Sequence, residues 1–283
     1  MSAKSSAEIT NMPGVKVVPL RTPTLPPATH TNAILVGYDT VWIVDPASPH
    51  EADRSRLAEV LDHEVALGRT LAGVVLTHHH RDHVGAARWL QETRGLPIVA
   101  HPLTRDLLAG VLTVDRLVVE GDTLSGSERP DDQWHVLHTP GHASGHVVLW
   151  EPERRGMIGG DMVAAVGTII VEPPDGHMAT YIAQLDRLAA LDPAWLVPAH
   201  GGVIDAPVDH LRHYISHRLG REARVVTALQ EGPADLSTMT VRSYPDVATY
   251  LHPLAERSCL AHLIKLEEEL RALCSDGVWA MRP

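Results

Sequence analysis

The order of apolar and polar positions divides the chain into strand-like and helix-like stretches. Residues 15–21 (VKVVPLR) and 33–45 (AILVGYDTVWIVD) are dense in β-branched residues, as strands are, and Gly37 and Asp39 interrupt the second as a hairpin turn would. Residues 50–68 place Leu57, Val60, Leu61 and Val65 on one helical face, with Gly68 as a stop. Residues 71–77 (LAGVVLT) form the continuous apolar run of a strand buried on both faces. A helix is predicted at 83–94, ended by Gly95 and Pro97, and a strand at 97–101. Short strands follow at 116–120, 133–139, 146–151 and 156–163, then a helix at 178–191 and a strand running into His200. A long helix at 205–230 comes next. Beyond Gly232 and Pro233 short helices take over, 254–273 the strongest, and the closing GVWAMRP reads as a strand.

Strand pairs, then strand–helix alternation, then strands again predict two mixed sheets covered by helices. The tail from about residue 221 reads as a separate small module. The expected layout is a flexible N-terminus at 1–14, a main domain at 15–220 and a small C-terminal domain at 221–283.

Composition narrows the picture. With 283 residues, 44% of them hydrophobic, the chain can bury a sizeable core. Phenylalanine is absent, so Leu, Val, Trp and Met must fill that core. The net charge of −11 supplies no global attraction for nucleic acid or an anionic membrane. No apolar run approaches the roughly 20 residues of a membrane span, and the first 14 residues lack the apolar centre of a signal peptide. The expectation is a soluble, cytoplasmic protein without a membrane partner. Cys259 and Cys274 have no CxxC spacing and read as reduced thiols. Nineteen histidines are the unusual number, because histidine is the commonest metal ligand among side chains.

The histidines concentrate where chemistry is expected. Thr77-His78-His79-His80-Arg81-Asp82-His83 follows directly on the buried VVL run. In extended geometry residues i and i+2 point the same way, so His78 and His80 can grip one ion while His79 faces away. Asp82 and His83 follow in a turn and can reach a second ion. Mixed His and Asp donors suit zinc better than magnesium or calcium, which prefer all-oxygen shells. Three later segments again place a donor at the end of an apolar strand: PGH at 140–142, GGD at 159–161 and AHG at 199–201. A lone histidine is usually a surface or core residue; four donors within six residues, followed by three more at strand ends, are not explained that way.

In these motifs, HxHxDH at 78–83, PGH, GGD and AHG, the chain resembles the metallo-β-lactamase superfamily over roughly residues 15 to 205. The resemblance implies an α/β (α+β) fold, an αββα sandwich with metals at one edge of the sheets. It implies two Zn2+ per chain, with manganese or iron able to substitute: His78, His80 and His142 on the first ion, Asp82, His83 and His200 on the second, and Asp161 bridging both. It also implies hydrolysis by a metal-bridging hydroxide, with Asp82 orienting the nucleophile and shuttling its proton. Thr31 to Gly37, the stretch Tyr214 to Arg218 with Arg221 and Glu222, and the tail from Leu251 to Leu270 look like one subgroup, which includes the mitochondrial β-lactamase-like endoribonuclease and carries a C-terminal winged-helix-like module.

Three functions compete at this point. An acyl hydrolase acting on thioesters, lactones or similar small molecules is favoured by the acidic balance and by the lack of a long insertion between Asp161 and His200. A single-stranded RNA endonuclease is favoured by the named relative; Arg212, His217, Arg218, Arg221 and Arg224 on the linking helix are the candidate phosphate contacts, although a solvated helix face is the better reading of that cluster. A non-enzymatic winged-helix binding protein is disfavoured by the intact donor set. In the tail acidic residues outnumber basic ones nine to seven, which suits packing or self-association into a homo-oligomer better than reading nucleic acid. His177 and Tyr181, after PPDG, are expected to line the substrate mouth. His146 is either an ordinary strand histidine or a group orienting a ligand.

Overall fold

The computed structural model describes residues 10–283. The first nine positions of the expected flexible N-terminus lie outside the described residues. Within the rest of it, Thr10–Met12 form strand β1, paired antiparallel to Val15–Arg21 (β2), so this stretch is ordered by the sheet.

The chain divides into two compact units. The first comprises residues 10–139, 145–168 and 193–207 among those described. It holds two sheets. The larger runs in the order β1 to β7, with His30–Val36 (β3), Thr40–Val44 (β4), Thr70–Leu76 (β5), Ile98–Ala100 (β6) and Arg116–Leu117 (β7). Its first four strands pair antiparallel, as short turns permit, and β4 to β7 pair parallel. Parallel pairs need crossovers. Glu51–Ala66 (α1) supplies one between β4 and β5; Arg81–Val84 (α2) and Ala87–Arg94 (α3) lie between β5 and β6, and Pro102–Leu107 (α4) follows β6. The second sheet comprises Thr123–Ser125 (β8), Gln133–His138 (β9), Val147–Glu151 (β10), Gly156–Gly160 (β11) and Trp195–Pro198 (β12).

Period-two alternation builds the sandwich. Ile34, Val36, Trp42, Val44 and Val75 turn one way and meet Trp134, Val136, Leu149, Ile158 and Val197 of the second sheet. Ala33, Leu35, Ile43, Val74 and Leu76 turn the other way and meet Leu57 and Leu61 of α1 and Leu90 of α3. A one-residue slip of any of these strands would exchange its two faces. Truncating a fully buried residue such as Ile43 to Ala costs about 2–5 kcal/mol. On α1 the inward turn is finished by Glu64, held by Lys16 and Arg69, whereas Val65 is exposed.

The helix expected at 83–94 is two helices, broken at Gly85 and Ala86. The break has a local cause. The N–H of Gly85 donates to the carbonyl of Ala47 at 3.0 Å, and a Cβ at Gly85 would stand 2.2 Å from that oxygen. The carbonyl of His83 in turn accepts from Ala47 N–H at 2.9 Å. The turn carrying Asp82 and His83 is thereby docked onto the segment after β4.

The second unit comprises residues 140–144, 169–192 and 208–283. Its helices are Met178–Ala190 (α5), the larger part of Pro207–Gln230 (α6), Leu236–Ser243 (α7) and His252–Glu268 (α8). Ala234–Asp235 (β13), Ala272–Ser275 (β14) and Val278–Met281 (β15) form a sheet in the order β13-β15-β14. Val225, Leu229, Met239, Leu263, Leu266 and Trp279 pack into one core. The helix expected to reach residue 273 stops at Glu268; Leu270 adopts φ +60° and Ala272 opens β14. The expected closing strand is β15. No helix among the described residues is long and apolar enough to cross a membrane.

Candidate metal centre

The donors of the first unit converge from strand ends. His78, His80, Asp82 and His83 follow β5, Asp161 follows β11, and His200 follows β12. The donor atoms of His78, His80 and Asp161 lie within 4.8 Å of one another, and so do those of Asp82, His83 and His200. Asp161 also faces the second set: its Oδ2 is 3.6 Å from Nε2 of His83 and its Oδ1 is 3.4 Å from Nε2 of His200. Asp82 reaches His200 at 3.6 Å and His83 at 4.0 Å. His142 is carried by the second unit, where its Nδ1 lies 2.6 Å from the Ile170 carbonyl.

Hydrogen bonds fix which nitrogen His78, His83, His142 and His200 present. Asp45, 2% exposed, accepts from Thr77 N–H at 2.8 Å and from the Thr77 hydroxyl at 2.6 Å. It also accepts from His83 Nδ1 at 2.8 Å, which leaves the lone pair on Nε2. Having given its one proton to Asp45, the Thr77 hydroxyl accepts from His78 Nδ1 at 3.0 Å. His78 therefore presents Nε2, which stands 2.9 Å from Nδ1 of His80. His200 donates Nδ1–H to the His30 carbonyl at 3.0 Å and also presents Nε2. His142 donates Nδ1–H to Ile170 in the same manner. Metal-binding histidines are oriented by such outer partners.

The donor set fits a transition-metal ion. His83 Nε2 is buried without a hydrogen-bond partner among the described residues, a costly state that a cation relieves. The mixture of imidazole and carboxylate selects zinc-like ions over calcium or magnesium. Charge agrees. Burial opposes ionising Asp161, but His83 and His200 beside it hold its carboxyl well below the usual range. Burial likewise opposes charging His83 and His200, and the carboxylates, Asp161 for both and Asp45 for His83, hold their pKa values above that of ordinary histidine.

Two further residues shape the centre. His146 is fully buried; its Nε2 accepts from Asp161 N–H at 3.0 Å, so its Nδ1–H is donated to the Thr139 hydroxyl at 2.8 Å. Gly160, at φ +50°, makes room for that ring, because a Cβ there would stand 2.5 Å from His146 Nε2. His146 thus holds the backbone N–H of Asp161. Sequence reading missed Asp45. Its signal was present, a carboxylate closing the apolar run VWIV ahead of Pro46, and it adopts φ +47°, a strained conformation for a residue other than glycine.

The expected substrate contacts fare differently. His177 caps α5, its Nδ1 accepting from Thr180 N–H, and its Nε2 lies 2.8 Å from Glu268. Tyr181 is fully enclosed, with the Arg218 guanidinium 5.5 Å above its ring, so lining a substrate mouth gives way to packing.

A two-sheet α/β sandwich whose strand ends gather histidines and aspartates defines a metal-dependent hydrolase. Residues 26–200 match the metallo-beta-lactamase superfamily and residues 239–279 the beta-lactamase associated winged helix domain, and the chain belongs to that superfamily. It is 31% identical over 262 residues to a beta-lactamase-like protein 2 homolog of Caenorhabditis elegans, covering 88% of this chain and 80% of that one. It is 32% identical over 139 residues to a hydroxyacylglutathione hydrolase of Rhodospirillum rubrum, covering 49% and 52%. A beta-lactamase domain protein from Burkholderia ambifaria shares the fold, with TM-score 0.82 and 22% identity, over 98% of this chain and 94% of that one.

Proposed function

We propose that this enzyme is a dinuclear zinc-dependent hydrolase of thioester, lactone or related acyl substrates. His78, His80 and His142 are assigned to one ion, Asp82, His83 and His200 to the other, and Asp161 to both; manganese or iron can take the same donors. The observation that carries the assignment is the set of fixed tautomers, with His78, His83 and His200 each donating Nδ1–H outward and presenting Nε2. When bound, such ions activate water at neutral pH and stabilise a developing oxyanion. The chain's own contribution is to orient and to move a proton: Asp82, its carboxylate partly exposed, is the group assigned to hold the proton taken from water.

The acyl class is favoured over RNA by where the arginines go. Arg218 is buried and donates to the Ile169 carbonyl. Arg221 and Arg224 both pair with Asp246 at 2.8 Å. Three of the five candidate phosphate contacts are engaged inside the second unit. The similarity to a hydroxyacylglutathione hydrolase points the same way. Cys259 and Cys274 are both free, which suits the reducing cytoplasm, and the second unit is assigned a packing or self-association role.

The test is turnover by zinc-loaded protein on thioester and lactone panels and on labelled single-stranded RNA, with Asp82→Asn alongside. Acyl turnover lost in the variant is expected. RNA cleavage by the parent chain without acyl turnover would replace this reading with the nuclease one.

A further inference from the structure

The turn that carries His200 is held by a residue outside the donor set. Asn32, 2% exposed, lies near the start of β3. Its Nδ2 donates to the Pro198 carbonyl at 2.9 Å and to the Gly201 carbonyl at 2.8 Å. Its backbone N–H donates to the Ala199 carbonyl at 2.8 Å. These acceptors bracket His200 on both sides. Two residues earlier, the His30 carbonyl takes the Nδ1–H of His200 itself. Regular structure ends at Pro198 and resumes only at Pro207, apart from an isolated bridge at Ile204, so β12 alone does not fix the position of His200.

We infer that Asn32 is the positioning residue for His200. It sets where the imidazole Nε2 stands relative to Asp82 and Asp161, and through that it sets how tightly the second ion is held. A primary amide suits the task because one nitrogen carries two N–H donors, enough for both carbonyls at once. An aspartate has the same shape and no donor, and would turn carboxylate oxygens toward two carbonyl oxygens. The inference rests on the proposed assignment of His200 as a ligand.

The experiment is a zinc titration of metal-stripped protein, repeated with Co2+, on the parent chain, Asn32→Asp and His200→Ala, with thermal melts of each in metal-free and loaded forms. The expected result is two ions in the parent chain. In Asn32→Asp the first ion should bind as before and the second about 10-fold to 100-fold more weakly, approaching His200→Ala. A merely structural asparagine would lower the metal-free melting temperature and leave both affinities unchanged, which would overturn the inference. If the parent chain takes fewer than two ions, or His200→Ala still takes two with unchanged affinity, the ligand assignment falls and the inference with it. Should Asn32→Asp not fold, Asn32→Ser, which keeps a single donor, is read by the same criteria.

Discussion

Oδ2 of Asp45 lies 2.8 Å from Nδ1 of His83, and both residues are buried. Asp45 belongs to neither set of donor atoms, yet it fixes the tautomer of His83 directly and that of His78 through the Thr77 hydroxyl. One carboxylate therefore prepares a histidine of each proposed ion.

Asp45→Asn is expected to weaken zinc binding at both positions by about 10-fold to 100-fold, the usual effect of losing such an outer partner. Competition with a chromogenic chelator measures it. Unchanged affinity at both positions would remove Asp45 from the account.

Asp82→Asn should leave the melting temperature of the metal-free protein nearly unchanged and lower kcat by roughly 10²–10⁴, the range for a lost proton acceptor. Full turnover in this variant would return the proton to another group.

Gly160→Ala is expected to destabilise the fold by more than the roughly 1–2 kcal/mol of a left-handed alanine, because the new methyl also meets His146 at 2.5 Å. His146→Leu leaves the buried Asp161 N–H without its acceptor, at a cost of about 1–3 kcal/mol. Urea unfolding of the two single variants and the double variant should show strong non-additivity, since both act on one contact. Simple addition would mean that the ring and the glycine are independent.

Glu222 gives the second unit an acid limit. Its burial raises the carboxyl pKa, but His262, 3.8 Å away, and the Lys265 ammonium, 2.7 Å away, outweigh burial and bring it from 4.5 down to about 2. A depressed folded-state pKa contributes stability that is complete above pH 4.5 and is lost as pH falls through about 2. Glu222→Gln should therefore cost roughly 2 kcal/mol at pH 7, and the gap from the parent chain should shrink steadily between pH 4.5 and 2 in denaturant melts. A gap that stays constant over that range would show that the charge contributes nothing.

What could be read in advance was local. The run VVL followed by His78, His80, Asp82 and His83 announces itself because strand, turn and donors are contiguous. PGH, GGD and AHG are legible for the same reason. What Asp45 and Asn32 bind was not, because their partners lie far along the chain, His83 38 residues on and Pro198 166 residues on. Gly85 broke an expected helix through contact with Ala47, which no periodicity reveals. The short elements α4 and β8 carry too few residues for a pattern. Tyr181 looked like a substrate contact from its place after PPDG, and its burial depends on residues elsewhere in the second unit.

The 166 to 169 residues between Asn32 and the carbonyls it binds have a kinetic meaning. Loops of that length close late, since long-range pairings are reached slowly. HxHxDH is complete as soon as a few residues are joined, but His200 takes its place only when β3 has met the segment that follows β12. With His200 as the proposed ligand, tight metal uptake is then expected to mark the end of folding. On the proposed ligand assignment, a half-folded chain is expected to hold zinc loosely and exchange it, so that retention of the metal would double as a check that the chain has closed on itself.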